Sequence, residues 1–167
     1  ESYDELICTA GITEGGQWVR LYPVDYRYRP QHQQFKKFQW IEVELDSHGS
    51  NNDRRKESRR PSLDTIKLLG EPLGTGNQWR ERRRIIDPLP HHTLKELEAL
   101  YEKDRTSIGI LRPSAIHDIV IEEDGRDWKD SWKAIHDQLR LFPDMAVKEL
   151  RKLPWKWSFV FSCADSP

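Results

Sequence analysis

Two short apolar runs around a pair of glycines are the feature that most constrains the fold of this chain. The first run covers residues 6–12, and Gly15 and Gly16 separate it from a second run at residues 17–24. Both runs are rich in β-branched and aromatic residues, and two such runs around a Gly-Gly turn predict a β-hairpin. A third run of the same kind, residues 39–46, predicts a third strand after a basic and aromatic connection.

Helix signals begin only in the second half of the chain. Thr93 followed by Glu96 has the sequence pattern of a capping box and predicts a helix that ends near Asp104. Asp127 is a candidate cap for a second helix, and residues 143–151 predict a short third one. Further strands are expected at residues 62–69, 116–121 and 157–163, and a short strand or helix at residues 79–86.

This order of elements predicts an α+β fold. Its nucleus would be a small β-barrel or a strongly curved antiparallel sheet, with two to three packed helices. We expect two regions, a β-rich domain at residues 1–90 and an α/β extension at residues 91–167 that packs on it. Because the chain stops just after a strand-like run, the extension is expected to be truncated at its C-terminus.

Composition narrows the setting of the protein. The 167 residues are 33% charged, and neither a membrane-spanning run nor a signal-peptide pattern is found, so we expect a cytoplasmic protein with no membrane partner. Cys8 and Cys163 both lie in apolar runs and are expected to be unpaired core residues, which favours a reducing compartment. The cysteines predict no metal site, and the sequence predicts no cofactor.

Positive charge is concentrated in the middle of a nearly neutral chain. The formal net charge is -1, yet residues 51–90 carry ten Lys and Arg against six Asp and Glu. A local basic surface on a neutral protein is a modest sign of nucleic-acid binding. The alternative is that these are solvated loop charges, paired with neighbours such as Asp53, Glu57, Glu81 and Asp87.

Aromatic and arginine side chains alternate along the second strand and the connection after it. Trp18, Arg20 and Tyr22 occupy alternate positions, which share one face of an extended strand. Aromatic rings stack on bases and guanidinium groups hold phosphates, so the leading hypothesis is a module that binds single-stranded DNA or RNA without catalysis of its own. The predicted contact residues are Trp18, Arg20, Tyr22, Tyr26, Arg27, Arg29, Arg54, Arg55, Arg59 and Arg60.

Two other classes of function remain open. Glu42, Glu44 and Asp46 alternate along the third strand, and three carboxylates on one side would suit a divalent ion in a metal-dependent nuclease or another enzyme fragment. A solvent-facing strand edge explains the same pattern more simply. The third hypothesis is a protein-interaction domain of a larger bacterial assembly, because Trp, Tyr and Arg also dominate protein interfaces.

Part of the N-terminal sequence carries a resemblance to a known family. The residues concerned are Ile7-Cys8-Thr9-Ala10-Gly11-Ile12 and Gly16-Gln17-Trp18-Val19-Arg20. They resemble the opening of bacterial dual-OB-domain proteins, which follow the same pattern except that Leu21 and Tyr22 are inserted here before Pro23. The resemblance covers the first quarter of the chain and implies that residues 1–90 are OB-like. It also implies an exposed barrel face for single-stranded nucleic acid.

A second resemblance covers more of the chain. Residues 18–44 together with residues 152–159 are similar to a family of bacterial proteins of unknown function. This similarity implies a shared domain and no particular activity.

Overall fold

The computed structural model describes residues 7–26, 29–46, 53–128, 130 and 152–163. The chain divides into two compact units, Glu1–Arg112 and Pro113–Pro167. Among the described residues, no helix combines the length and the apolar character that crossing a bilayer requires.

The first unit opens with the predicted β-hairpin, which is confirmed. Strand β1 (Ile7–Ile12) pairs antiparallel with β2 (Trp18–Val24), and Gly16 turns the chain with a φ of 74°. That left-handed conformation suits glycine because it has no Cβ. Thr13 closes the turn, since its N–H donates to the Gln17 carbonyl and its carbonyl accepts from the Gly16 N–H.

Two small sheets make up the body of this unit. Strand β4 (Ser58–Arg59) adds parallel to β2, so the first sheet has the order β1-β2-β4. Strands β3 (Trp40–Glu42) and β5 (Lys67–Leu69) form a second, antiparallel pair. An isolated bridge between Leu45 and Pro61 continues the pairing between their chain segments.

The rest of the first unit contains two helices and a short parallel pair. Helix α1 (Gly76–Ile86) has left-handed φ angles at its first residues, and β6 (His91–His92) pairs parallel with β7 (Ile110–Leu111). Helix α2 (Leu94–Asp104) lies between them in the chain. The predicted capping box of α2 is confirmed, because Thr93 Oγ1 accepts from the Glu96 N–H and the Glu96 carboxylate accepts from the Thr93 N–H.

The second unit contains one long antiparallel pair, β8 (Ala115–Glu123) with β9 (Trp155–Ser162). A register shift between Ile116 and Asp118 marks a bulge at His117, whose Nε2 lies 2.5 Å from Ser162 Oγ. The helices predicted after Asp127 and over residues 143–151 fall almost entirely outside the described residues.

The predicted OB-like barrel or curved antiparallel sheet is wrong. The described part of the chain is mixed α/β with small sheets and no closed barrel. The third strand was expected over residues 39–46, but regular pairing stops at Glu42 and only the Leu45 bridge follows. The β2–β4 pair is also parallel rather than antiparallel.

The expectation that both cysteines lie in the core holds for only one of them. Both thiols are free, and Cys163 is buried whereas Cys8 is exposed. In the first unit the buried apolar residues include Leu21, Val24, Ile66 and Leu89. Leu21 and Val24 belong to β2, so this strand supplies both core residues and candidate binding residues.

Candidate functional site

Strand β2 directs its candidate binding residues to different surroundings. Tyr22 is exposed, with 37% of its surface accessible, whereas Trp18 and Arg20 are half-buried. The Arg20 guanidinium donates from Nη1 to Cys8 Sγ at 2.6 Å and from Nη2 to Ser107 Oγ at 2.9 Å. Arg20 therefore links the hairpin to the chain after α2, and of the three side chains Tyr22 is the one open to a ligand.

Tyr26 and Arg29 hold the connection after β2 in place. Tyr26 donates its hydroxyl to the Phe35 carbonyl at 2.6 Å, and its ring meets the Phe35 ring edge-on. The Arg29 side chain is only 10% exposed, and its Nη2 donates to the Leu63 carbonyl and to Asp64 Oδ1, both at 2.8 Å. Both side chains are committed to internal contacts, and Arg27 lies outside the described residues.

Five exposed cations surround the start of β4. We call them the cationic segment: Arg54, Arg55, Lys56, Arg59 and Arg60. Glu57 and Ser58, which lie between them, are buried with 6% and 1% of their surface accessible. These two residues anchor the turn and the charged residues on either side are exposed, while Arg59 Nη1 also donates to the Lys56 carbonyl at 2.9 Å and to the Ser58 carbonyl at 2.7 Å.

Glu57 and Ser58 are fixed by polar contacts from two directions. Glu57 Oε1 accepts from the Ser107 N–H at 2.6 Å and from Ser107 Oγ at 2.9 Å, and Ser58 Oγ donates to Asp53 Oδ2 at 3.0 Å. The Arg20 N–H also donates to the Glu57 carbonyl at 2.9 Å. The cationic segment therefore rests on a preformed backbone rather than on a free loop.

Acidic neighbours accompany some of these cations at the surface. Arg55 Nε lies 3.4 Å from Asp53 Oδ1, Arg60 Nε lies 3.8 Å from Asp46 Oδ2, and Lys56 Nζ lies 2.5 Å from Asp104 Oδ2. Hydrogen bonds from Lys56 and then from Thr106 lower the pKa of Asp104 to about 2. Solvent-exposed pairs of this kind contribute little stability, so a stronger anion can replace the carboxylate.

Strand pairing brings the exposed tyrosine next to the cationic segment. In the parallel β2–β4 ladder Arg20 pairs with Ser58 and Leu21 pairs with Arg59. Neighbouring strands lie about 4.8 Å apart, so the backbone of Tyr22, the residue after Leu21, lies close to that of Arg59. The sequence alone did not indicate this proximity, because Leu21 and its partner Arg59 are 38 positions apart, the difference between 59 and 21.

Two of the three carboxylates of the enzyme hypothesis, Glu42 and Asp46, are paired with cations. Glu42 Oε1 accepts from Lys67 Nζ at 2.8 Å, and this hydrogen bond lowers the pKa of Glu42. Asp46 faces Arg60. Within the described ranges, no cluster of three or more His, Cys, Asp or Glu side chains is arranged to hold a metal ion.

A second group of arginines, on α1, makes cation–π contacts. The Arg82 guanidinium lies 4.5 Å from the centre of the Phe38 ring and 5.1 Å from that of Trp79, and its Nε donates to the Leu73 carbonyl. Arg83 pairs with Asp87 one turn later. These arginines were part of the basic middle region of the sequence, and two of them have partners within their own surroundings.

The described part of the chain is a mixed α/β protein with exposed basic residues and an exposed tyrosine at its surface. Residues 1–88, more than half of the chain, match the family model described as a domain of unknown function (DUF8758). The chain belongs to this family. Residues 90–167 match a second domain of unknown function (DUF8757). No curated protein and no solved structure matches the chain.

Proposed function

We propose that the chain binds single-stranded nucleic acid through the cationic segment and Tyr22. The observation that carries the proposal is the cationic segment itself, in which five positive side chains surround two buried residues on a fixed turn. Arginine guanidinium groups hold phosphate oxygens through paired hydrogen bonds. The cationic segment contains four such groups, all exposed and within seven consecutive positions, those of Arg54, Arg55, Arg59 and Arg60.

Tyr22 is the reason for favouring a single strand. Its ring is exposed on the strand next to β4, and unpaired bases stack on aromatic rings, whereas the bases of a duplex are already stacked on one another. The proposal drops Trp18, Arg20, Tyr26 and Arg29 as direct contacts, because internal bonds or partial burial occupy them. They become the framework that positions Tyr22 and the turn.

The proposed module acts in the cytoplasm and needs no cofactor. The two cysteines are free thiols, which fits a reducing compartment. Residues 1–90 supply the binding surface, and Asp104 and Ser107 support it from later in the chain through Lys56 and Glu57.

The test is a binding titration of fluorescein-labelled single-stranded DNA and RNA over a series of salt concentrations, read by fluorescence anisotropy. We expect the logarithm of the association constant to fall linearly with the logarithm of salt, by about 0.7 for each phosphate contact. The double variant Arg59→Gln/Arg60→Gln is expected to bind more weakly. The slope of its salt dependence should be smaller by about 1.4, the contribution of two phosphate contacts.

The matched control removes two positive charges from the second unit, with Arg126→Gln/Lys156→Gln. Both side chains are exposed, so folding is unaffected and the net charge changes equally. If the control lowers affinity as much as the Arg59/Arg60 variant does, binding follows net charge and the site is wrong. Absence of binding at low salt would remove the proposal.

A further inference from the structure

An open apolar cleft runs through the first unit, away from the cationic segment's exposed side chains. Its volume is about 920 Å³, and its walls include the half-buried side chains of Val19, Ile41 and Val43 together with Phe35 and Phe38. Cavities of roughly 300–1,000 Å³ with mainly apolar walls are typical of binding sites. The cleft is therefore large enough to take a ligand and is not filled by the described side chains.

The cleft is bordered by strand edges as well as by a sheet face. A sheet face contributes alternate residues only, because successive side chains point to opposite sides. Here consecutive residues line the cleft from two segments, residues 9–13 of the hairpin and residues 35–43 around β3. The backbones of β1 and β3 therefore border the cleft directly.

Each of these strands pairs on one edge among the described residues. β1 is the outer strand of the order β1-β2-β4, and β3 pairs with β5 alone. An open edge presents a row of N–H and C=O groups and is a ready template for another strand. Residues of both strands line the same apolar cleft.

We propose that this cleft binds an extended peptide segment of a partner protein, which adds as a strand to β1 or β3. Peptides bind sheet edges in this way, with backbone hydrogen bonds giving affinity and pockets for alternate side chains giving specificity. The apolar walls select apolar side chains at every second position of the peptide.

Charge at the cleft favours an acidic peptide. The charged residues that line it are Glu14, Lys36, Lys37 and Glu42, and Lys67 neutralises Glu42 through a 2.8 Å ion pair. Two adjacent lysines therefore face one remaining carboxylate, and acidic residues between the apolar ones complement them. Nucleobases fit less well, because mostly apolar walls leave their polar edges without partners.

The probe is a synthetic ten-residue peptide with valine at alternate positions and glutamate between them, measured by isothermal titration calorimetry and by amide hydrogen exchange. We expect saturable binding and slower exchange for amides of β1 and β3, with no change in α2. A peptide of the same sequence with alternate N-methylated amides lacks half of the donors and is expected to bind at least tenfold more weakly.

Three variants separate the contributions. Val43→Trp narrows the cleft and is expected to abolish binding, and Lys36→Glu/Lys37→Glu is expected to weaken it at least tenfold. Lys103→Glu changes an exposed charge on α2 outside the cleft and is expected to have little effect. Equal binding of the N-methylated peptide, absence of binding, or displacement of the peptide by single-stranded oligonucleotide would overturn the proposal. None of these outcomes bears on the Arg59/Arg60 titration.

Discussion

Ser107 donates two hydrogen bonds to one oxygen of Glu57, from its N–H at 2.6 Å and from its hydroxyl at 2.9 Å. The two residues are 50 positions apart in the chain. Glu57 is buried, so this contact fixes the turn of the cationic segment to the chain after α2.

Removing this contact is expected to destabilise the first unit. Glu57→Ala leaves the Ser107 N–H without its acceptor, removes a buried side chain and should lower the free energy of unfolding by about 1–3 kcal/mol. Ser107→Ala removes only the hydroxyl and should cost about 1 kcal/mol. Urea unfolding gives both values, and faster exchange of the Ser107 amide in Glu57→Ala checks the mechanism. Unchanged stability in both variants would contradict the role of this contact.

Truncation of Arg29 should destabilise the protein, whereas truncation of Arg54 should leave its stability almost unchanged. Arg29→Ala removes the donor to the Leu63 carbonyl and to buried Gln33, and we expect a loss of about 2–3 kcal/mol in the free energy of unfolding. Arg54 is exposed, so Arg54→Ala should change stability by no more than about 0.5 kcal/mol. The comparison is made by urea denaturation. Equal effects would show that Arg29 is not a structural residue.

Tyr22 is expected to affect binding more than folding. If a base stacks on its ring, Tyr22→Ala should weaken single-strand binding by about 1–3 kcal/mol, while Tyr22→Phe keeps the ring and most of the affinity. The midpoint of urea unfolding should change little in Tyr22→Phe. Fluorescence anisotropy measures the affinity, and a Tyr22→Ala protein that is folded and binds normally would exclude stacking at this residue.

The Lys56–Asp104 pair predicts a pH dependence. The pKa of Asp104 is lowered from 3.8 to about 2, so its carboxylate binds a proton more weakly in the folded protein than in the unfolded chain. Stability from this pair is complete above about pH 4 and is lost as the pH falls toward 2. Urea unfolding of the native chain and of Asp104→Asn between pH 6 and pH 2 should show a difference in the free energy of unfolding that shrinks as the pH falls. A carboxyl pKa near 3.8 by NMR titration would contradict it.

Local patterns in the sequence predicted the local structure well. The Gly15-Gly16 turn and the Thr93–Glu96 capping box both depend on residues within a few positions of each other, and both are confirmed. The barrel prediction was wrong because it depended on pairing between strands far apart in the sequence. Turn residues and the periodicity of apolar residues do not specify such pairing. The resemblance at residues 7–20 describes one hairpin and does not determine what closes around it.

The binding residues illustrate the same limit. Alternation correctly placed Trp18, Arg20 and Tyr22 two positions apart on one strand, yet their exposure differs because Arg20 finds Ser107, 87 positions away. Arg29 likewise finds Asp64, which is 35 positions away. The sequence does not distinguish exposed from buried positions among the polar residues 54–60. The burial of Glu57 and Ser58 shows which side of this turn faces the interior.

The parallel direction of the β2–β4 pair has a consequence for how the protein folds. The β1–β2 hairpin forms from neighbours in the chain, whereas β4 joins only after the chain has crossed back along the full length of β2. Closing so long a loop costs entropy before any contact rewards it, so this step comes late. We therefore expect the strand that follows the turn of arginines to join the sheet later than the hairpin forms.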